Sequence, residues 1–261
     1  LEKLDSGYDM VIGARDAGSH ANVGRLYANG VYNVVADFGQ ARGANTATIL
    51  PNDPDHARKY GRIVLIRNNI LGNPVIFESV RQRFDAVVVP QQREHLAIDG
   101  SFNRTLWHEI GHYLGVSVTA DGRSLGTALA EYADLVEEMK SDLVSLHAAP
   151  TLLEIGYYDD TGLRAHYADG IRRTLQVVRP RPEQPYQNMQ LMQFNYFMEH
   201  GLIEPRGDTA LLAINYDRYH EIVTALLGEV LHLQYAGDYE ATKAFVERWN
   251  YWDDRVHGRL A

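Results

Sequence analysis

The chain has 261 residues, 45% of them hydrophobic and 23% charged, enough to bury a sizeable core as one large domain or two. A formal net charge of −9 without any Lys/Arg cluster argues against a nucleic-acid partner, and no apolar run is long enough to span a bilayer. With no cysteine, disulfides and thiolate metal sites are excluded, so any bound metal must be held by histidine and carboxylate. No signal peptide is visible and the sequence starts at Leu1 rather than at a methionine; the expectation is a cytoplasmic location, with the native N-terminus left open.

In chain order, Val31 to Asp37 and Ala44 to Leu50 read as strands around a turn with Gly39 and Gly43, and Arg62 to Arg67 as a third. Asn73-Pro74 marks a helix start, and Ile76, Phe77, Val80 and Phe84 carry that helix to about Asp85. A short apolar run, Ala86 to Val89, and a polar loop to Gly100 follow. From Ser101 the sequence is helical almost throughout, with helices expected over about 101–114, 128–147, a short piece starting at Pro150, then 162–178, 186–200, 209–227 and 238–252. A proline-rich connector occupies Arg179 to Pro185, and Gly201, Gly207 and Gly237 mark boundaries. The fold class is therefore α+β and mainly α, with a small β portion near the N-terminus.

The first of these helices contains His108-Glu109-Ile110-Gly111-His112, the pattern H-E-x-x-H. Residues four apart on an α-helix lie about 40° from overlay, so the two imidazoles share a face and can hold one Zn²⁺, with Glu109 placed to act on a water. Leu106, Trp107, Ile110, Tyr113 and Leu114 form an apolar stripe that would seat the helix in a core. A third protein ligand is required. The next long helix carries an acidic stripe of Glu131, Asp134, Glu138 and Asp142, and a short loop would return it antiparallel against the first. Glu-x-x-x-Asp after H-E-x-x-H is the arrangement of the glutamate-type zinc peptidases. On that basis Glu138 is assigned as third ligand and Asp142 as the acceptor that orients a ligand histidine through its other N–H. Glu137 is a further candidate for such a role, or a surface partner of Lys140. His147, His200, His220 and His232, and the aromatics around Phe194 and Trp249, read as packing or surface residues.

Several stretches in order resemble the dipeptidyl-peptidase III zinc peptidases, including their bacterial branch. They are Ile49-Leu50-Pro51-Asn52-Asp53, the H-E-x-x-H helix, Glu137-Glu138-x-Lys140-x-Asp142, Leu152 to Gly156, Asn188 to Tyr196, and Leu226 to Val246. Many members have H-E-x-x-x-H, which needs a local bulge; the four-residue spacing here needs none and is also found in the family. Where the family commonly places a histidine that stabilises the transition state, Asn188 stands, and His166 or Tyr167 could take its place. The resemblance implies two lobes across a cleft. The strands of about 30–78 would belong to one lobe, and residues 79–261 to the helical zinc lobe, with much of the first lobe encoded upstream. It implies one zinc ion, a peptide substrate, release of N-terminal dipeptides, and a backbone-binding role for Asn52. Endopeptidase action, hydrolysis of a non-peptide amide or ester, and a zinc-stabilised homologue without turnover stay open, as does the oligomeric state.

Overall fold

The computed structural model describes residues 26–32, 46–50, 56, 59, 62–207 and 211–260. Strands β1 (Leu26–Tyr32), β2 (Ala47–Leu50) and β3 (Arg62–Arg67) form one sheet in the order β1-β3-β2. The central strand β3 runs parallel to β1 and antiparallel to β2. Expected strand positions 33–37, 44 and 45 lie outside the described residues, as does Asn52. Ala47, Val64 and Ile66 are buried and meet Leu71, Phe102 and Leu106, so the sheet is seated on the helix that carries H-E-x-x-H.

Helices follow: α1 (Asn68–Leu71), α2 (Pro74–Val87), a 3-10 turn (Pro90–His95), and α3 (Ile98–Gly111). Local chemistry sets the start of α2, where Asn73 Oδ1 accepts hydrogen bonds from Val75 N at 2.9 Å and Ile76 N at 3.2 Å, and Pro74 occupies the first turn. The polar loop expected before Gly100 is in fact largely 3-10 turn and the first turn of α3.

Next come α4 (Leu125–Leu129), a 3-10 turn (Ala130–Tyr132), α5 (Ala133–Glu154), α6 (Asp160–Thr174) and α7 (Pro185–Glu199). The expected helix over 128–147 with a restart at Pro150 is corrected in two ways. The break falls upstream, at Ala130 with φ +48°, and α5 runs unbroken through Pro150. Proline removes one N–H from the helix ladder. Ala148, Ala149 and Leu152 around it are buried, and that packing carries the helix across.

Strands β4 (Ile203–Pro205) and β5 (Leu212–Ile214) pair antiparallel, where a helix from Thr209 was expected. Tertiary partners decide this: Val89 N donates to Leu212 O at 3.0 Å. The Gln92 amide both donates to Ile214 O and accepts from Ile214 N at 2.8 Å, standing in for a neighbouring strand. α8 (Tyr219–Ala236) then ends at Gly237, whose φ of +61° favours glycine, and α9 (Tyr239–Trp249) starts on the Asp238 cap. The main core lies where α5 packs against α3, α6, α7 and α8. None of the described helices is long and apolar enough to cross a membrane.

Candidate metal centre

Two glycines let α3 sit unusually close to its neighbours. A Cβ on Gly111 would lie 2.7 Å from Ser141 O and 3.0 Å from Ser141 Cα, both backbone atoms of α5. A Cβ on Gly100 would fall on the Ala165 carbonyl of α6. The glycine between the two histidines is thus where the α3 and α5 backbones meet. Side-chain contacts run antiparallel along that meeting: Ser145 with Arg104, Asp142 with His108, and Glu137 and Ser141 with His112.

One ligand atom each from His108, His112 and Glu138 falls within 4.8 Å of the others. Glu138 Oε2 is 3.2 Å from His108 Nε2 and 3.7 Å from His112 Nε2. It is nevertheless buried without a hydrogen bond of acceptable geometry. A buried carboxylate oxygen left in that state is costly unless something else binds it. The opposite nitrogens have partners: His108 Nδ1 meets Asp142 Oδ1 at 2.7 Å, and His112 Nδ1 meets Ser141 Oγ at 2.8 Å and Glu137 Oε1 at 3.1 Å. A proton held on each Nδ1 leaves the Nε2 lone pairs pointing to Glu138. Two imidazoles and one carboxylate with this tautomeric arrangement suit Zn²⁺, and the absence of cysteine leaves no thiolate competitor.

Charges beneath the site are closely matched. Arg104 donates through Nη1 to Asp142 Oδ1 at 2.6 Å and through Nε to Asp169 Oδ2 at 2.8 Å. Asp169 also accepts from Ser101 Oγ at 2.5 Å and Arg172 Nε at 2.7 Å. Burial opposes ionisation of Asp142 and Asp169, but their arginine partners outweigh it and hold both well below the ordinary carboxylate range. For His108 burial likewise lowers the pKa, and Asp142 and then Glu138 outweigh it, lifting the metal-free imidazole to about 9. Glu137, opposed by burial, is brought down to about 2 by Lys140 and His112. Lys140 is itself buried; its Nζ lies 2.7 Å from Glu137 Oε1 and donates at 2.8 Å to Gly111 O and Leu114 O. It thereby closes the C-terminal end of α3. Glu137 thus meets His112 and pairs with a Lys140 that is buried rather than at the surface. Burial raises the pKa of Glu109.

Other expected residues are placed elsewhere. His166 is fully buried, its Nε2 3.0 Å from Ser145 Oγ, and burial followed by Arg104 pushes its pKa down to about 3. Asn188 is buried and spends its amide on the connector, donating to Arg181 O at 2.6 Å and Gln184 O at 2.8 Å, while its oxygen accepts from Asn250 at 3.1 Å. Four contributors went unread in the sequence: Arg104, Asp169, Ser141 and Tyr186, whose hydroxyl donates to Glu138 Oε1 at 2.8 Å. Arg104 lies one turn before His108 and Ser141 between Glu138 and Asp142, so helical spacing could have raised both. Asp169 and Tyr186 come from α6 and α7, and no local pattern marks them.

Fold and donor set together define a mainly helical protein with a candidate mononuclear metal centre borne on two antiparallel helices. Among solved structures the chain is similar to that of DPP III from Caldithrix abyssi, with a TM-score of 0.82 and 23% identity, over 100% of this chain and 52% of that one. It is also similar to dipeptidyl-peptidase III from Corallococcus sp. strain EGB, with a TM-score of 0.75 and 24% identity, over 83% of this chain and 40% of that one. The chain thus has the fold of part of these proteins and spans about half the length of the first and two fifths of the second. No family model matches the sequence, and no curated protein does.

Proposed function

We propose that this chain carries the catalytic metal centre of a zinc peptidase of the dipeptidyl-peptidase III type, which releases N-terminal dipeptides from short peptides. The observation that carries this reading is the convergence of His108, His112 and Glu138 donors within 4.8 Å, with the outer nitrogens of both imidazoles already engaged. His108, His112 and Glu138 would hold the ion, with His108 oriented by Asp142 and His112 by Glu137 and Ser141. A zinc ion bound there would supply Lewis acidity at neutral pH. Glu109 accepts a proton from the attacking water and delivers it to the leaving amine nitrogen, so that OH and H add across the broken C–N bond. Its burial raises its pKa above the ordinary carboxylate value. The structural likeness to dipeptidyl-peptidase III proteins supports the substrate class.

The test combines metal analysis of the intact protein with cleavage of dipeptidyl-naphthylamides, with and without a chelator. One zinc per chain and chelator-sensitive dipeptide release are expected, with Glu109→Gln retaining the zinc and losing turnover. Turnover by Glu109→Gln at the wild-type rate would remove Glu109 from the mechanism. Cleavage confined to internal bonds would replace exopeptidase by endopeptidase action. Stoichiometric zinc without any cleavage would leave a binding protein.

A further inference from the structure

Away from the metal centre, a cavity of about 500 Å³ opens between α2, the C-terminal end of α6, the 179–184 connector and the start of α7. Its wall contains Arg83, Arg172, Arg173, Arg179 and Arg181 and not one acidic residue. That concentration is notable in a chain of net charge −9, where like charges so close repel unless something compensates them.

Two of the five have their own carboxylates. Arg172 Nε lies 2.7 Å from the buried Asp169, and Arg181 Nε lies 2.6 Å from Glu183 at the exposed rim. No described carboxylate lies within ion-pair distance of Arg83, Arg173 or Arg179. Arg83 and Arg179 are exposed, whereas Arg173 is half-buried. Its Nε is buried with no hydrogen-bond partner, although Gln190, with its amide oxygen turned inward, accepts from Nη2 at 3.1 Å. The two deep acids that act on it are already engaged, Asp142 by Arg104 at 2.6 Å and His108 at 2.7 Å, and Asp169 by Arg104 at 2.8 Å and Arg172 at 2.7 Å. Burial and then Arg104 depress the Arg173 pKa to about 10 against the opposing pull of Asp142 and Asp169, which leaves it charged at neutral pH. Arg173 lines the cavity, and its charged guanidinium has no carboxylate of its own.

We propose that this cavity is an oxyanion-binding site, for a carboxylate or a phosphate group, with Arg173 as its deep donor and Arg83 and Arg179 at its exposed side. Guanidinium groups match the planar or tetrahedral oxygen arrays of both groups. The site is separate from the metal donors but adjoins them through the first turn of α7. Gln184 and Gln187 line the cavity, and Tyr186 between them reaches Glu138.

The test is calorimetric titration of the intact, zinc-loaded protein at constant ionic strength. The probes are inorganic phosphate, and an acetylated dipeptide with either a free or an amidated C-terminus. Saturable binding of phosphate, or of the free-acid but not the amidated peptide, is expected and identifies the source of the anion. Arg173→Met should weaken binding at least tenfold, by the loss of a charged hydrogen bond, and Arg83→Gln several-fold. Arg83 is exposed, so its replacement tests the site without risk to the fold. Arg173→Met also takes a favourable charge from Asp142, so its stability is measured beside its binding, and Arg83→Gln carries the test if the fold is weakened. No saturable binding of either probe, or equal binding by both variants, overturns the proposal. So does binding that disappears when zinc is chelated, since that signal would belong to the metal centre.

Discussion

Replacing Gly111 by alanine places a methyl carbon 2.7 Å from Ser141 O and 3.3 Å from the Ser141 carbonyl carbon, where neither partner is a side chain that can swing away. Relief to an ordinary 3.4 Å contact requires the α3 and α5 backbones to separate by about 0.7 Å, the difference from 2.7 Å. Lys140 Nζ, which donates at 2.8 Å to Gly111 O and Leu114 O from α5, would have to re-extend to keep both bonds. Overpacking of this kind costs about 1–3 kcal/mol of stability. The candidate metal donors would be moved apart as well, because His108 and His112 ride on one helix and Glu138 on the other. Zinc–ligand distances tolerate only about 0.2 Å.

Gly111→Ala is therefore expected to lower the unfolding free energy in chelator by about 1–3 kcal/mol and to weaken zinc at least about tenfold. Urea unfolding and a competition titration against a zinc-binding dye measure the two effects. Gly126 in α4 is the control, since a Cβ there meets nothing within 4 Å. Alanine at that helical position should be neutral or stabilising by about 0.5–1 kcal/mol. If Gly111→Ala matched wild type in both measurements, close backbone approach would not be what assembles the centre.

Asp142→Asn retains the shape but leaves the buried Arg104 with a single carboxylate, Asp169. Zinc affinity should fall about 10–100-fold, and denaturant titration of the chelated variant should register a loss of up to about 3–5 kcal/mol. Asp169 is buried and its folded-state pKa is depressed, so its contribution is fully present above the unfolded value of about 4 and is lost as pH falls from there. Unfolding free energy of the metal-free protein should decline below about pH 4. Asp169→Asn should already be less stable at neutral pH and show a shallower decline; parallel curves for the two proteins would place the acid sensitivity elsewhere.

How far the centre could be read in advance depended on distance along the chain. His108, Glu109 and His112 are related by one helical turn, and so are Glu138 and Asp142, which makes each set visible as a spacing. The antiparallel return that joins them also follows from a short connection between two strongly apolar helices. Asp169 lies 65 residues from Arg104, and Tyr186 lies 48 from Glu138, so neither pairing leaves a local trace. The hairpin of β4 and β5 escaped for a related reason. Its strands are three residues each, too short for an alternating pattern, and the Gln92 side chain 122 positions away supplies part of its hydrogen bonding. Pro150 misled because proline's cost is local, whereas the burial that outweighs it is not.

By itself the sequence determined the mainly helical class and the shared helical faces of His108 with His112 and of Glu138 with Asp142, because side-chain periodicity on a helix is a property of the chain alone. Only the tertiary structure decided that Gly111 is the crossing point of two backbones. It also decided that Asn188 is tied to the connector, that His166 is sealed in the core, and that five arginines share a cavity. Those outcomes depend on which helices meet, and at what distance, which burial of the whole apolar core fixes and no single segment encodes.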